Sequence, residues 1–154
     1  MGVLLLLPYR AMETRVLDGR AAASYKDFTP AQARVFQRIA PTGSRLTDLA
    51  AQAGITKQSA GFLVDQLERA RYVERVPDPV DGRARLVRIA DRGAQAVLAS
   101  RVLVEQVEAE WTAHLGVQRM SQLRDILTSL REITDPWRDD AAGVDRTTQA
   151  AVGI

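Results

Sequence analysis

The chain has no cysteine. That excludes disulfide staples, thiolate nucleophiles and cysteine-based redox switching, and it fits a reducing compartment. It has a single histidine, His114, whereas zinc sites draw on several His or Cys ligands, so no metal is expected. No apolar run approaches the roughly 20 residues that cross a bilayer. The amino-terminal stretch GVLLLLPYR is too short for a signal-peptide core, has no basic residue ahead of it and no small-residue cleavage site soon after. The expectation is a cytoplasmic protein with no membrane partner. A nucleophile–base pair and a phosphate-binding glycine loop are also missing, which argues against an enzyme and against a bound cofactor.

What is present is the composition of a soluble globular protein, 46% hydrophobic and 26% charged over 154 residues, enough for one domain with a real core. The net charge is +2 and the isoelectric point about 9.4, but the signs are unevenly spread. Beyond Thr134 the chain carries Asp135, Asp139, Asp140 and Asp145 against Arg138 and Arg146. The body is therefore more basic than the whole, which permits an anionic partner such as nucleic acid.

Tyr9, Met12, Val16 and Leu17 recur at helical spacing and predict a first helix from about Pro8 to Ala23. Leu4 to Leu7 precede it as an arm or extend it through Pro8, buried in the core or against a second subunit. Thr29-Pro30 caps and opens a second helix with Val35, Phe36 and Ile39 on its apolar side. After the break at Pro41 to Ser44, Thr47 is placed to cap a short helix ending at Gly54. A longer helix starts near Thr56, with Ala60, Leu63, Val64 and Leu67 on one stripe and Lys57, Gln58, Gly61, Phe62, Asp65 and Glu68 on other faces. Short helix, glycine turn and longer helix with a polar start make a helix-turn-helix.

Tyr72 to Val76 and Ala84 to Ile89 read as two antiparallel strands joined by a loop whose prolines and Asp81-Gly82 supply the turn chemistry. A helix-turn-helix followed by a β-hairpin is a winged helix. A long helix from Asp91 carries Val97, Val104, Val107, Trp111 and Leu115 and stops at Gly116. A last one carries Met120, Leu123, Leu127 and Leu130. The fold class is thus mainly α with a small β-hairpin. Residues 1–134 form a single domain: a winged helix-turn-helix over 29–92, flanked by helices at 1–24 and 93–134. Residues 135–154, polar, small and aperiodic, are expected to be a disordered tail.

The order of segments, with LTDLAAQAGITKQSAGFLVDQLE and YVERVPDPVDGRARLVRIADRG, resembles the MarR family of bacterial transcriptional regulators. The most specific part is DPxDGR followed by an apolar strand and xRG. The resemblance implies a homodimer joined by helices from both chain ends. It further implies binding to a pseudo-palindromic DNA operator, usually as a repressor, and release by a small aromatic or phenolic effector. Three positions depart from the family pattern. Arg71 stands where glycine is usual, Ala90 where a capping threonine is common, with Asp91 able to take over, and Phe62 where a polar or charged residue is usual.

The candidate site residues follow from both readings. Arg83, at the tip of the hairpin, can enter a narrow minor groove, or be a solvated arginine or a partner for Asp81. By the family pattern Asp81 orients the wing while Arg83 reaches DNA, and Arg85 meets phosphate. At the start of the longer helix, Gln58 can pair with adenine and Lys57 can reach guanine or phosphate. Thr56 and Ser59 are equally plain as capping residues. Gly61 permits close backbone approach or simply helix packing. Arg45 is a secondary phosphate contact or a solvated loop arginine. Tyr9, Met12, Phe36, Trp111 and His114 could line an effector pocket, although aromatic and Met residues at helical spacing more often form core or interface. The alternative function is a winged-helix protein-interaction module without DNA binding.

Overall fold

Thr29 begins the winged part of the chain with a reciprocal cap. Its side chain accepts from the Gln32 amide at 3.2 Å, and the Gln32 carboxamide oxygen accepts from the Thr29 amide at 2.8 Å. The structure, a computed structural model, describes residues 1–22 and 25–137. Its described residues divide into a helical unit, residues 1–22, 25–28 and 95–134, and a winged unit, residues 29–94 and 135–137. The tail expected to be disordered falls, from residue 138 on, outside the described residues.

In the winged unit, α1 of the other unit aside, the first element is α2 (Pro30–Phe36), shorter than its apolar pattern suggests. Ile39 lies in the turn beyond it yet is fully buried. Ser44–Arg45 then form a strand, β1, which the sequence reading did not foresee. That strand holds Arg45 extended, at φ −71° and ψ 146°, so α3 (Leu46–Ala53) starts at once, with Arg45 as its cap and no side-chain cap bond. Thr47, expected to cap this helix, sits inside its first turn instead. Gly54 ends it at φ 65°, and the Ile55 amide reaches back to the Ala50 carbonyl at 3.0 Å.

α4 (Lys57–Arg69) begins at its N-cap Thr56, as the sequence predicts. Its far end closes through Arg71 at φ 63°. The Tyr72 amide donates to the Leu67 carbonyl at 2.8 Å and the Arg71 amide to the Glu68 carbonyl at 2.9 Å. These are the paired bonds of a helix stop that normally uses glycine. Leu67 and Tyr72 are both fully buried, which provides the apolar contact that accompanies this stop.

β2 (Val73–Pro77) and β3 (Arg85–Ile89) pair antiparallel, with Arg75 opposite Val87. β1 adds on the other side of β3, Ser44 opposite Val87, so the sheet order is β1-β3-β2. Tyr72, predicted as the first strand residue, instead fills the core, edge-on to Phe36 with ring centroids 6.5 Å apart. Val35, Ile39, Leu49, Val64, Leu67, Val73 and Val87 are buried in this unit with Tyr72. Each such side chain contributes about 1.5–3 kcal/mol by leaving water.

α5 (Asp91–Leu115) starts where predicted. The Ala90 carbonyl accepts its first bond, from the Ala94 amide at 2.9 Å, and Asp91 lies in the first turn, where its charge faces the positive end of the helix dipole. Gly93 is required by space, because a Cβ there would overlap the Tyr72 carbonyl oxygen. Asp135, placed by sequence in the tail, is buried at 8% exposure and takes the Arg38 guanidinium at 3.3 Å.

In the helical unit, α1 (Gly2–Ala22) runs through Pro8 and includes Leu4 to Leu7, rather than starting at Pro8. A mid-helix proline removes one hydrogen bond and crowds one carbonyl, and the helix continues past it. The same leucines are exposed, 48–70%, so they are not core. α6 (Val117–Thr134) follows Gly116, whose φ of 85° reverses the chain. Arg15 pairs with Glu110, Arg20 lies 4.6 Å over the Phe28 ring, and Arg124 pairs with Glu108 at 2.7 Å.

Arg71→Gly tests the strained helix stop. A left-handed backbone costs a non-glycine residue roughly 1–2 kcal/mol, against about 0.5–1 kcal/mol of added chain entropy for glycine. Urea unfolding should show the variant more stable by up to about 1 kcal/mol. A loss of stability would mean that the Arg71 side chain contributes more than its backbone costs.

Candidate nucleic-acid interface

The two features that can meet DNA, the start of α4 and the loop between β2 and β3, are fixed by separate hydrogen-bond networks. At the helix start the Thr56 hydroxyl accepts from the Ser59 amide at 3.1 Å and donates to the Ser59 hydroxyl at 2.9 Å. Thr56 therefore acts as the cap, and the Ser59 hydroxyl receives the Thr56 proton. Lys57 and Gln58 beside them are exposed and make no polar contact among the described residues. Unpaired amides and the helix dipole give this end a partial positive charge. Gly61 is not demanded by packing within the chain, since an added Cβ would meet the Leu46 side chain at an ordinary 3.6 Å.

The loop is organised by Asp78, a residue whose part the sequence reading missed. Its side chain is only 6% exposed. One carboxylate oxygen accepts from the Val80 amide at 2.9 Å and the Asp81 amide at 3.3 Å. The other accepts from Arg45 through Nε at 2.9 Å and Nη2 at 2.6 Å. Arg45 thus ties β1 to the root of the loop instead of standing as a solvated arginine. The Val80 amide first, and then the Arg45 guanidinium, hold the Asp78 carboxyl below its ordinary value. An Asp-Pro pair at a strand end was the available signal, because aspartate binds backbone amides two and three residues on.

Asp81 works the same way one turn later. Its carboxylate accepts from the Arg83 amide at 3.1 Å, and its carbonyl accepts from the Ala84 amide at 2.8 Å. It orients the wing through the backbone of Arg83 and leaves the guanidinium alone. Arg83 is exposed with no polar side-chain partner among the described residues, and so is Arg85 at the start of β3.

A second missed residue, Arg75 of β2, spans from the sheet to α4. Its guanidinium reaches Asp65 at 2.6 Å and pairs with Glu68, while its amide donates to Glu68 at 3.1 Å. One arginine thereby pairs with two carboxylates of α4 and offsets half of their charge. Behind the same helix, Arg92 lies 4.4 Å over the Tyr72 ring and donates to the Ala70 carbonyl at 2.6 Å. Neither role is visible in sequence, since each depends on which strand residue comes to lie beside the helix.

The residues proposed for an effector pocket are not all available. Phe36 is core, 4% exposed against Tyr72. Tyr9 and Met12 lie on α1 and Trp111 and His114 on α5. Tyr9 is exposed with its hydroxyl donating to Glu13 at 3.2 Å, His114 is exposed, and Trp111 is half-buried. The winged unit has an open cleft of about 420 Å³ elsewhere, lined by Thr42, Arg45, Asp48, Gln52 and Leu86 among others. Among the described residues, no group of three or more His, Asp or Glu side chains could hold a metal, and no helix is long and apolar enough to cross a membrane.

Residues 26–84, from the turn before α2 to the end of the wing loop, match the MarR family. No curated protein matches the chain by sequence. Among solved structures, a transcriptional regulator from Thermotoga maritima is 28% identical, at a TM-score of 0.58 over 82% of this chain and 91% of that one. Wild-type MarR from E. coli, in its apo form, is 22% identical with a TM-score of 0.65 over 84% and 96%. A mutant of MepR from S. aureus, solved bound to an oligodeoxyribonucleotide, is 18% identical with a TM-score of 0.58 over 87% and 97%. The last two likenesses concern the fold.

The Asp78 network makes a pH prediction. A carboxyl whose folded value is lowered contributes stability that is present above its unfolded value and lost as pH falls through the folded one. Carbon-detected NMR should therefore place the Asp78 midpoint below the ordinary 3.8. Arg45→Met should move it part of the way back, because the Val80 amide remains. A midpoint at or above the ordinary value would show that the loop is not latched.

Proposed function

We propose, from the premise that residues 26–84 form a MarR-family winged helix, that this protein is a sequence-specific regulator of transcription that binds double-stranded DNA as a homodimer. The observation that carries this reading is the pattern of charge in the winged unit. Arg45, Arg75, Arg88 and Arg92 are each committed to a partner within the protein. Lys57 and Gln58 at the α4 start, and Arg83 and Arg85 at the wing, stand exposed with no side-chain partner among the described residues, as do Arg34 on α2 and Arg71 at the α4 stop. Cations held back from internal pairs, at a helix start and a hairpin tip, fit phosphate and groove contacts.

In this reading α4 lies in the major groove. Gln58 reads adenine, Lys57 takes guanine or phosphate, Arg83 enters the minor groove and Arg85 meets phosphate. A dimer sets its two helices into successive major grooves about 34 Å apart, which suits a pseudo-palindromic operator. The exposed apolar side chains of the helical unit support self-association, Leu4, Leu7, Ile126 and Ile133 among them. The MepR structure with an oligodeoxyribonucleotide lends support by likeness of fold. Repression, and release by a small aromatic or phenolic effector, complete the proposal. Such an effector must prefer the form that does not bind DNA, since equal affinity for both shifts nothing.

Fluorescence anisotropy on DNA recovered by selection from a random pool tests this. Affinity should fall steeply with salt and fall further in Arg83→Ala, while Gln58→Ala should lose discrimination worth about 1–3 kcal/mol at one position per half-site. Arg75→Met should also weaken binding without touching DNA, by leaving the Asp65 and Glu68 charges unbalanced. Weak binding to every sequence, indifferent to Arg83→Ala, would favour a winged helix that docks protein instead.

A further inference from the structure

Large apolar side chains exposed in the winged unit are few. Among its described residues they are Phe62 on α4, 59% exposed, and Val80 in the wing loop, 90% exposed. Both fall on the features that the proposed function brings to DNA. The remaining large apolar residues of α4 behave ordinarily, with Val64 and Leu67 fully buried and Leu63 half-buried. Phe62 is therefore no overflow of the core stripe. It sits four residues after Gln58 and three before Asp65, on the polar face of the helix, one turn in from the end that carries Lys57 and Gln58.

A phenyl ring cannot accept or donate the hydrogen bonds that mark base edges, so a polar reading of this position fails. The major groove offers one apolar feature, the C5-methyl group of thymine, and aromatic contact with it is an established mode of readout. Resting on the proposed function, we propose that Phe62 is a specificity-determining residue that packs against a thymine methyl in the operator. Gln58 and Phe62 are separated by four helical rises, about 6 Å, close to two base-pair steps of about 3.4 Å. The thymine therefore lies within about two base pairs of the adenine that Gln58 reads. Its own pairing partner is an adenine, so the two contacts together favour an A·T-rich half-site.

The charges around Phe62 agree with this placement. Asp65, one turn further along the same face, is held by Arg75 at 2.6 Å. The ring thus stands between a cationic helix start and a carboxylate whose charge Arg75 partly offsets.

Deoxyuridine differs from thymidine only by the missing methyl, so a uracil scan isolates the contact. Each thymine of the selected operator is replaced in turn, and binding of the wild-type protein is compared with that of Phe62→Ala, an exposed substitution whose folding is checked by circular dichroism. Removing one buried methyl should weaken wild-type binding about fourfold per half-site, or about fifteenfold when both are replaced. The same replacement should leave Phe62→Ala unchanged. A scan with no sensitive thymine, or with equal losses in both proteins, overturns the inference. If wild-type selectivity and the Gln58→Ala effect persist in that case, the regulator stands and only the role of Phe62 falls. If the wild type selects no sequence, both fall together.

Discussion

The buried carboxylate of Asp78 is the constraint on which the geometry of the wing loop depends. Four donors converge on it, two from the backbone of the loop and two from Arg45. Remove the charge and two loop amides, a guanidinium and a strand end lose their common acceptor at once. The loop would keep its sequence and its turn residues, but nothing would define where its tip stands relative to β1. Arg83 at that tip can serve a groove only if its backbone is held, and Asp81 holds it only after Asp78 has set the turn before. The hierarchy runs from the buried acid to the exposed base.

A comparable arrangement sets α4. Its C-terminal end is closed by the Arg71 stop and covered by Tyr72, which in turn lies under Arg92. Its exposed side is tethered to β2 by Arg75 through Asp65 and Glu68. These ion pairs are partly exposed, and such pairs add little to stability. Their value lies elsewhere. A single arginine from the sheet pairs with two acidic groups of α4, offsetting half of their charge while fixing the strand beside the helix.

Much of this was legible in the sequence because it depends on neighbours along the chain. The Thr29 and Thr56 caps, the Gly54 turn and the α4 stripe of Ala60, Val64 and Leu67 follow from spacing and local hydrogen bonding. Arg71, which the resemblance sets where glycine is usual, holds the left-handed backbone that glycine suits. What was missed depends on neighbours far apart in the chain. β1 is two residues long, too short to show any alternation, and exists only because β3 lies beside it. It also moved the α3 cap from Thr47 to Arg45. The roles of Arg45, Arg75 and Asp78 join residues ten to thirty-three positions apart. Phe36 has the same aromatic character in a pocket lining as in a core, and only the fold decides between them. At Pro8 a local rule was outvoted, since the helix continues through it.

Local rules are broken most plainly at two residues of one segment. Arg71 holds a backbone angle suited to glycine, and Phe62 exposes an aromatic ring on a polar face. Neither is favoured by stability alone. Sequences that are otherwise consistent across levels tend to concentrate such departures where function constrains them. The two departures differ in kind, however. Arg71 bears on where the helix ends and the sheet begins, so its effect belongs to the fold and its cost is measurable without DNA. Phe62 touches no such junction, and its exposure has a rationale only in a bound state that covers it. An apolar ring one turn from Gln58 would give the helix two independent means of reading one half-site, a hydrogen-bond pattern and a methyl group. Because the second carries no charge, its contribution should persist at salt concentrations that erode the phosphate contacts, and selectivity should then decline less steeply than affinity.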